Sequence, residues 1–155
     1  MLKELLEQRK VFVLDGAQGT ELQKGKSSYQ VYQNYIDAGA DVITLNTFDM
    51  NTERLEEVRR NIRQEVDKFR NLNSCKLAVG SLGPTEIVLS LNKSVEEFDK
   101  LSDFYYSCIV EFYHKGVYDF IIETATDSLN VKAALYALCL VWRDYTTKPN
   151  VIVSC

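Results

Sequence analysis

The chain has 155 residues, of which 46% are hydrophobic and 26% charged, and its formal net charge is −4. This composition is typical of one globular domain with its own core, and the negative charge argues against nucleic acid as a partner. No apolar run approaches the ~20 residues of a membrane span, and the start MLKELLEQRK, which carries both charges, does not resemble a signal peptide. We therefore expect a cytoplasmic protein that binds neither nucleic acid nor a membrane.

The cysteines form no recognisable metal or redox motif. Cys75, Cys108, Cys139 and Cys155 are too far apart for a C-x-x-C motif or for the short spacing of a zinc site. Cys108 and Cys139 occur in helical apolar patterns, which predict reduced, buried thiols.

Five short apolar runs, rich in β-branched residues, recur along the chain with helical stretches between them. The first four end at positions 15, 46, 81 and 123, and these intervals suit a strand, a helix and a second strand, which need roughly 30 residues or more. Runs without polar alternation are typical of parallel strands buried between helices. The predicted strands are VFVLD (11–15), DVITLN (41–46), KLAVGS (76–81), DFIIE (119–123) and NVIVS (150–154).

The stretches between these runs carry helix signals. Ser94 followed by Glu97 is a capping-box pattern, and Gly39 and Gly116 stand where two of the helices would end. The predicted helices are 29–38, 52–69, 94–114 and 127–145.

The alternation of strands and helices predicts an α/β fold with a parallel sheet. An open, doubly wound sheet would be complete within this length, whereas a closed (β/α)8 barrel takes about 250 residues. The alternation by itself leaves both architectures open.

Polar residues follow the apolar runs at the carboxyl ends of the predicted strands, where parallel α/β proteins collect their functional side chains. Asp15 and Gly16 follow the first run, Asn46 and Thr47 the second, and Glu123 the fourth. Burying such a carboxylate without a partner is costly, so we expect a ligand amine or a neighbouring donor beside it. Two of these positions also have a structural interpretation. Asp15-Gly16 has the composition of a turn, and Glu123 could be a carboxylate at the start of a helix.

Three further polar positions are better explained by structure than by chemistry. Gly83-Pro84-Thr85 has the composition of a turn, and Asp127 is favoured as the N-cap of the last helix. His114, the one histidine, stands near a helix C-terminus, where it complements the helix dipole.

Four segments in order resemble motifs of the homocysteine S-methyltransferase family, and together they span most of the chain. The opening Asp-Gly-Ala-Gln-Gly-Thr is most similar to the cobalamin-dependent methionine synthase branch. This resemblance implies that residues 1–155 are a partial homocysteine-binding domain, the N-terminal half of a TIM-type (β/α)8 barrel that is incomplete at its C-terminus. The segments are VLDGAQGTEL (13–22), DAGADVITLNTF (37–48), GSLGPT (80–85) and IIETATDSLNVKAA (121–134).

The resemblance also implies a function, methyl transfer to the thiol of homocysteine to give methionine. Asp15 and Gly16 match the turn beside the head group of the amino acid, and Glu123 matches the carboxylate that takes its ammonium group. Asn46 and Thr47 are expected to line the same pocket. No residue of this chain is assigned a catalytic role.

The family's zinc is held by three cysteines from the later part of the barrel, and no cysteine here matches them. We therefore expect zinc in the full-length domain but not on this chain, and cobalamin, where it is used, on other domains. The expected partners are homocysteine and either the missing C-terminal half of the barrel or a second chain. The isolated chain is expected to be inactive. The alternative is a non-catalytic α/β binding or subunit module derived from this family.

Overall fold

A computed structural model describes residues 2–8, 11–47, 50–92 and 94–154. Phe48, the last residue of the segment 37–48, and Cys155, one of the four cysteines, lie outside these ranges. Helices and strands alternate along most of the described chain. In chain order the elements are α1 (Leu2–Gln8), α2 (Gln18–Gln23), α3 (Ser28–Asp37), β1 (Val42–Leu45), a 3-10 turn (Thr52–Arg54), α4 (Leu55–Arg70), β2 (Leu77–Leu82), α5 (Leu89–Asn92), α6 (Val95–His114), β3 (Asp119–Ile122), α7 (Ser128–Asp144) and β4 (Asn150–Val153).

The four strands form one parallel sheet in the order β1-β2-β3-β4. Val42 pairs with Leu77, Gly80 with Phe120, and Ile121 with Ile152. Consecutive strands are neighbours, and a helix lies between each strand and the next, as the spacing of the apolar runs predicts. The parallel α/β fold is therefore confirmed.

The predicted strand at 11–15 differs from the structure, because only Leu14 forms a bridge, a parallel one to Val42. The Asp15 N–H donates to the Val42 carbonyl at 3.0 Å. The segment lies at the edge of the sheet, and Val11 and Val13 are 74% and 55% exposed. The apolar composition of this run predicted side chains that are buried on both faces of the sheet. At the edge of the sheet, with a neighbouring strand on one side only, these side chains are instead partly exposed.

The helix ends follow the local signals in the sequence. The Ser94 side chain accepts a hydrogen bond from the Glu97 N–H at the start of α6. Gly39 follows α3 with a φ of +99°, and the N–H groups of Gly39 and Ala40 close the helix on the carbonyls of Ile36 and Tyr35. The helix boundaries 29–38 and 94–114 are thus confirmed to within one residue.

Successive side chains of each strand point to opposite faces of the sheet, and both faces carry apolar clusters. One face packs against the helices through a large cluster that includes Leu45, Phe112, Phe120 and Ile122. On the other face Val42, Val79 and Ile121 pack against Leu2 of α1. Helix α1 therefore covers the amino-terminal half of that second face and leaves its carboxyl end to other residues.

No helix within the described ranges is both long enough and apolar enough to cross a membrane.

Candidate functional site: a carboxylate-lined cavity at the carboxyl edge of the sheet

The face of the sheet that is covered by α1 changes from apolar to polar toward the carboxyl ends of the strands. On this face, each strand has an apolar residue that is followed two positions later by a polar one, and both side chains point to the same side of the sheet. The pairs are Val42 and Thr44, Val79 and Ser81, Ile121 and Glu123, and Ile152 and Ser154. This two-residue period brings polar groups of four neighbouring strands to one end of the sheet.

A cavity of about 560 Å³ opens at this polar end. Four of the five predicted contacts line it, namely Asp15, Gly16, Asn46 and Glu123. Thr47, the fifth, is buried beside it, and its hydroxyl donates to the Ser81 carbonyl at 2.9 Å. The predicted convergence of polar side chains from separate strands is therefore present, with Thr47 behind the wall of the cavity.

Asp15 is tied to its surroundings by three donors. The Thr44 hydroxyl donates to Oδ1 at 2.9 Å, and the Thr44 N–H donates to Oδ2 at 3.0 Å. The Gln18 amide donates to Oδ2 at 2.8 Å and also to the Thr44 carbonyl. Burial nevertheless raises the pKa of the Asp15 carboxyl above its usual value, against these hydrogen bonds and with a smaller contribution from the charge of Glu123. Through its hydrogen bonds to Thr44, Asp15 holds the turn against β1.

Glu123 is held more loosely than Asp15. Its Oε1 accepts a hydrogen bond from the Ser81 hydroxyl at 2.6 Å, and Ser81 is its one hydrogen-bond partner among the described residues. Ser81 is fully buried in β2, so this contact fixes one carboxylate oxygen and leaves lone pairs of the other for a ligand. The next residue, Thr124, has a φ of +55°, a strained conformation for a β-branched residue and one that recurs at binding sites.

Asn46 is fixed through its main chain. Its N–H donates to the Tyr32 hydroxyl at 2.6 Å, and its carbonyl accepts from the Asn61 amide at 3.3 Å. Both partners lie on helices that pack behind the sheet, Tyr32 on α3 and Asn61 on α4. The Asn46 side chain is therefore presented to the cavity from a rigid position.

The charge of the cavity wall has one sign. Asp15 and Glu123 are its two acidic residues, and none of its lining residues is a Lys, Arg or His. Two carboxylates at the rim of a partly enclosed space favour a cationic group on the ligand. An ammonium group meets this requirement, with hydrogen bonds strengthened by charge.

Several residues of the site carried little signal in the sequence. Gln18 and Ser154 line the cavity without standing out by composition. Thr44 and Ser81 interrupt apolar runs at positions that share a face with Glu123, so the two-residue period of a strand points to them once the face is known.

The Gly83-Pro84-Thr85 turn, Asp127 and His114, for which the sequence favoured a structural role, do not line this cavity. Asp127 is the N-cap of α7 and accepts from the Leu129 N–H at 2.9 Å, as predicted. His114 is the last residue of α6. Pro84 and Thr85 line a smaller cavity of about 50 Å³ that shares Glu123 with the larger one.

The described residues do not offer a metal site. Among them, no three His, Cys, Asp or Glu side chains come together in a way that suits a metal ion. Burial raises the pKa of the Cys108 thiol to about 12, which disfavours the thiolate that binds zinc. Cys75 and Cys139 are exposed, and the prediction that Cys139 is buried is wrong because it lies on the solvent side of α7. The donor set of this part of the chain therefore does not fit zinc.

Comparison with known proteins decides the family. Residues 12–155 match the family model described as homocysteine S-methyltransferase. The chain belongs to the homocysteine S-methyltransferase family. The match includes all the residues that line the cavity.

Two solved structures share the fold. They are the metallated and apo forms of the homocysteine methyltransferase MmuM from Escherichia coli, with TM-scores of 0.68 and 0.67 and sequence identities of 18% and 21%. The alignments cover 92% and 90% of this chain but 63% and 59% of the MmuM chains. The chain thus spans less than two thirds of these relatives, and its parallel sheet corresponds to part of their (β/α) barrel.

Proposed function

We propose that this chain supplies the homocysteine-binding part of a methyltransferase that methylates the homocysteine thiol and gives methionine. Family membership supports homocysteine as the substrate. The observation that carries the assignment to this cavity is Glu123, a carboxylate at the carboxyl edge of the sheet with a single donor, Ser81, among the described residues.

Each end of the amino acid has a proposed contact. The ammonium group binds Oε2 of Glu123 as a charge-assisted hydrogen bond, and the carboxylate lies against the main chain of the Asp15-Gly16 turn. Asn46 forms part of the wall between them. In this arrangement Asp15 shapes the turn, because three donors already occupy its oxygens.

Methyl transfer also requires a thiolate and a methyl donor, and we propose that both requirements are met outside this chain. The described residues do not fit zinc, so we assign no step through a metal to them. Zinc ligands are proposed to come from the remaining part of a longer barrel, and cobalamin, where it carries the methyl group, from other domains.

The binding proposal is tested by calorimetry with L-homocysteine on the wild-type chain and on Glu123→Gln. Loss of one charge-assisted hydrogen bond is expected to weaken binding by about 10- to 100-fold. Glu96→Gln is the matched control, because Glu96 pairs with Lys100 on the surface of α6, and its affinity should equal that of the wild type. 4-Mercaptobutanoate, which lacks the amino group, should bind the wild type as weakly as homocysteine binds Glu123→Gln. Equal affinities of wild type and Glu123→Gln for homocysteine would refute the proposed contact.

The isolated chain is predicted to be zinc-free and to form no methionine from homocysteine. Elemental analysis and a methionine assay measure this directly, and stoichiometric zinc together with product would overturn it. Homocysteine binding that yields no methionine even when the rest of a barrel is supplied would instead favour the alternative, a non-catalytic binding module.

A further inference from the structure

We propose that Tyr32, oriented by the buried Glu65, is a positioning residue that fixes the Asn46 peptide in the wall of the cavity. Neither residue lines the cavity itself. The effect on ligand affinity rests on the homocysteine-binding function proposed above, whereas the effect on the Asn46 peptide does not.

The direction of the hydrogen bonds follows from the chemistry of the two side chains. The Tyr32 hydroxyl donates to Glu65 Oε2 at 2.7 Å, since a carboxylate that is paired with a lysine only accepts. The single hydroxyl proton is thereby committed to Glu65. The Tyr32 oxygen is left as an acceptor, and the Asn46 N–H donates to it at 2.6 Å.

Glu65 is anchored by groups from both helices behind the sheet. It is 2% exposed, and its Oε1 accepts from the Ser28 hydroxyl at 3.1 Å and from the Lys68 ammonium at 2.6 Å. A buried carboxylate with three donors is held in one place, because losing any of them leaves a costly unpaired group. Its position in turn fixes the Tyr32 hydroxyl.

A second contact holds the other end of residue 46. The Asn61 amide, one turn before Glu65 on α4, donates to the Asn46 carbonyl at 3.3 Å. Asn46 lies just beyond the end of β1, where the strand ladder no longer fixes the main chain. Helices α3 and α4 therefore set the direction in which its side chain enters the cavity.

The test compares Tyr32→Phe with Tyr113→Phe in the 155-residue chain. Tyr113 is also buried, and its hydroxyl donates to the Thr147 carbonyl at 3.1 Å, beyond the opposite end of the sheet. Amide hydrogen exchange at Asn46 is measured by NMR, and affinity for L-homocysteine by calorimetry. A third variant, Glu65→Gln, keeps an oxygen that accepts from Tyr32.

Tyr32→Phe is expected to raise the exchange rate at Asn46 and the Kd for homocysteine by about tenfold each, since a partly buried N–H loses its acceptor. Tyr113→Phe should leave both within twofold of the wild type, and Glu65→Gln should lie closer to the wild type than Tyr32→Phe. Unchanged exchange at Asn46 in Tyr32→Phe, or an equal change in Tyr113→Phe, overturns the positioning role. Absence of homocysteine binding by the wild type would instead overturn the proposed function, and the exchange rates would still decide the role of Tyr32.

Discussion

Asp15 and Glu123 face the same cavity, but the two carboxylates accept different numbers of hydrogen bonds. Three donors from Thr44 and Gln18 hold Asp15, whereas Ser81 alone, among the described residues, holds Glu123. A carboxylate has about four lone-pair positions for donors. The difference supports the proposed roles, in which Asp15 braces the turn and Glu123 binds the ligand.

The raised pKa of Asp15 predicts a pH-dependent cost to stability. A carboxyl group whose pKa is higher in the folded than in the unfolded state binds more protons when folded. Its favourable contribution is complete below the ordinary value of 3.8 and is lost as pH rises through the folded-state pKa. Asp15→Asn cannot ionise, so its free energy of unfolding relative to the wild type should increase as pH rises from 4 to 7. Urea unfolding across this range measures the difference, and a pH-independent difference would contradict it.

At the scale of single elements, the start of α7 shows how one side chain joins two helices. Asp127 accepts from the Leu129 N–H within α7 and from the Ser90 N–H of α5 at 3.0 Å. Burial opposes its charge, but these main-chain donors outweigh burial and lower the pKa of Asp127 below its usual value. The N-cap side chain therefore also fixes the start of α5.

Asp127→Ala is expected to lower the free energy of unfolding by about 2 kcal/mol at neutral pH, because it removes a helix cap and a second main-chain contact. The matched variant is Ser94→Ala, which removes the N-cap of α6, where the side chain accepts from the Glu97 N–H, and it should cost about 1 kcal/mol. Because its pKa is lowered, the contribution of Asp127 is present above pH 3.8 and is lost as pH falls. Thermal and urea unfolding measure both variants, and an equal or smaller loss in Asp127→Ala would contradict the double role.

Local signals in the sequence predicted the helices and most of the strands, whereas contacts between residues that are distant in the sequence could not be predicted from it. Ser94, Gly39 and Asp127 mark helix ends by their own chemistry, so those boundaries could be read directly. The run at 11–15 was indistinguishable from a buried strand, since its place at the sheet edge depends on what lies beside it. The pair Tyr32 and Glu65 is separated by 33 residues and joins two helices, and no spacing rule indicates it.

At the scale of the whole molecule, the sheet formed by the described residues has two open edges. Val151 and Val153 of β4 are 38% and 42% exposed, and the opposite edge is the incompletely paired segment that contains Leu14. In a closed barrel such edges pair with further strands. The described part of the chain therefore presents incompletely paired strand edges, which are of the kind that promotes association.

Val153→Lys is expected to reduce self-association of the isolated chain, since a charged side chain at a strand edge disfavours edge-to-edge pairing. Val95→Lys serves as the control, because Val95 is also exposed but is the first residue of helix α6 and does not belong to a strand. Sedimentation velocity over a range of concentrations gives the degree of association. Equal association of the wild type and Val153→Lys would show that the edge of β4 is not the contact.

The polar cavity at the carboxyl edge was foreseeable at this scale, because parallel strands bring their ends to one side of the sheet. The sequence did not predict which of these residues line the cavity, since the position of Thr47 relative to Asn46 depends on the turn that follows β1. The Thr47 N–H donates to the Leu45 carbonyl at 2.7 Å, and this turn directs the Thr47 hydroxyl toward Ser81.

A crystal structure of the chain with L-homocysteine is the sharpest test of the proposed Glu123 contact. The ammonium nitrogen is predicted to lie about 3 Å from a Glu123 carboxylate oxygen, with the Ser81 contact to Oε1 retained. A ligand bound away from this edge of the sheet, or with its ammonium group on other acceptors, would contradict the proposed binding site.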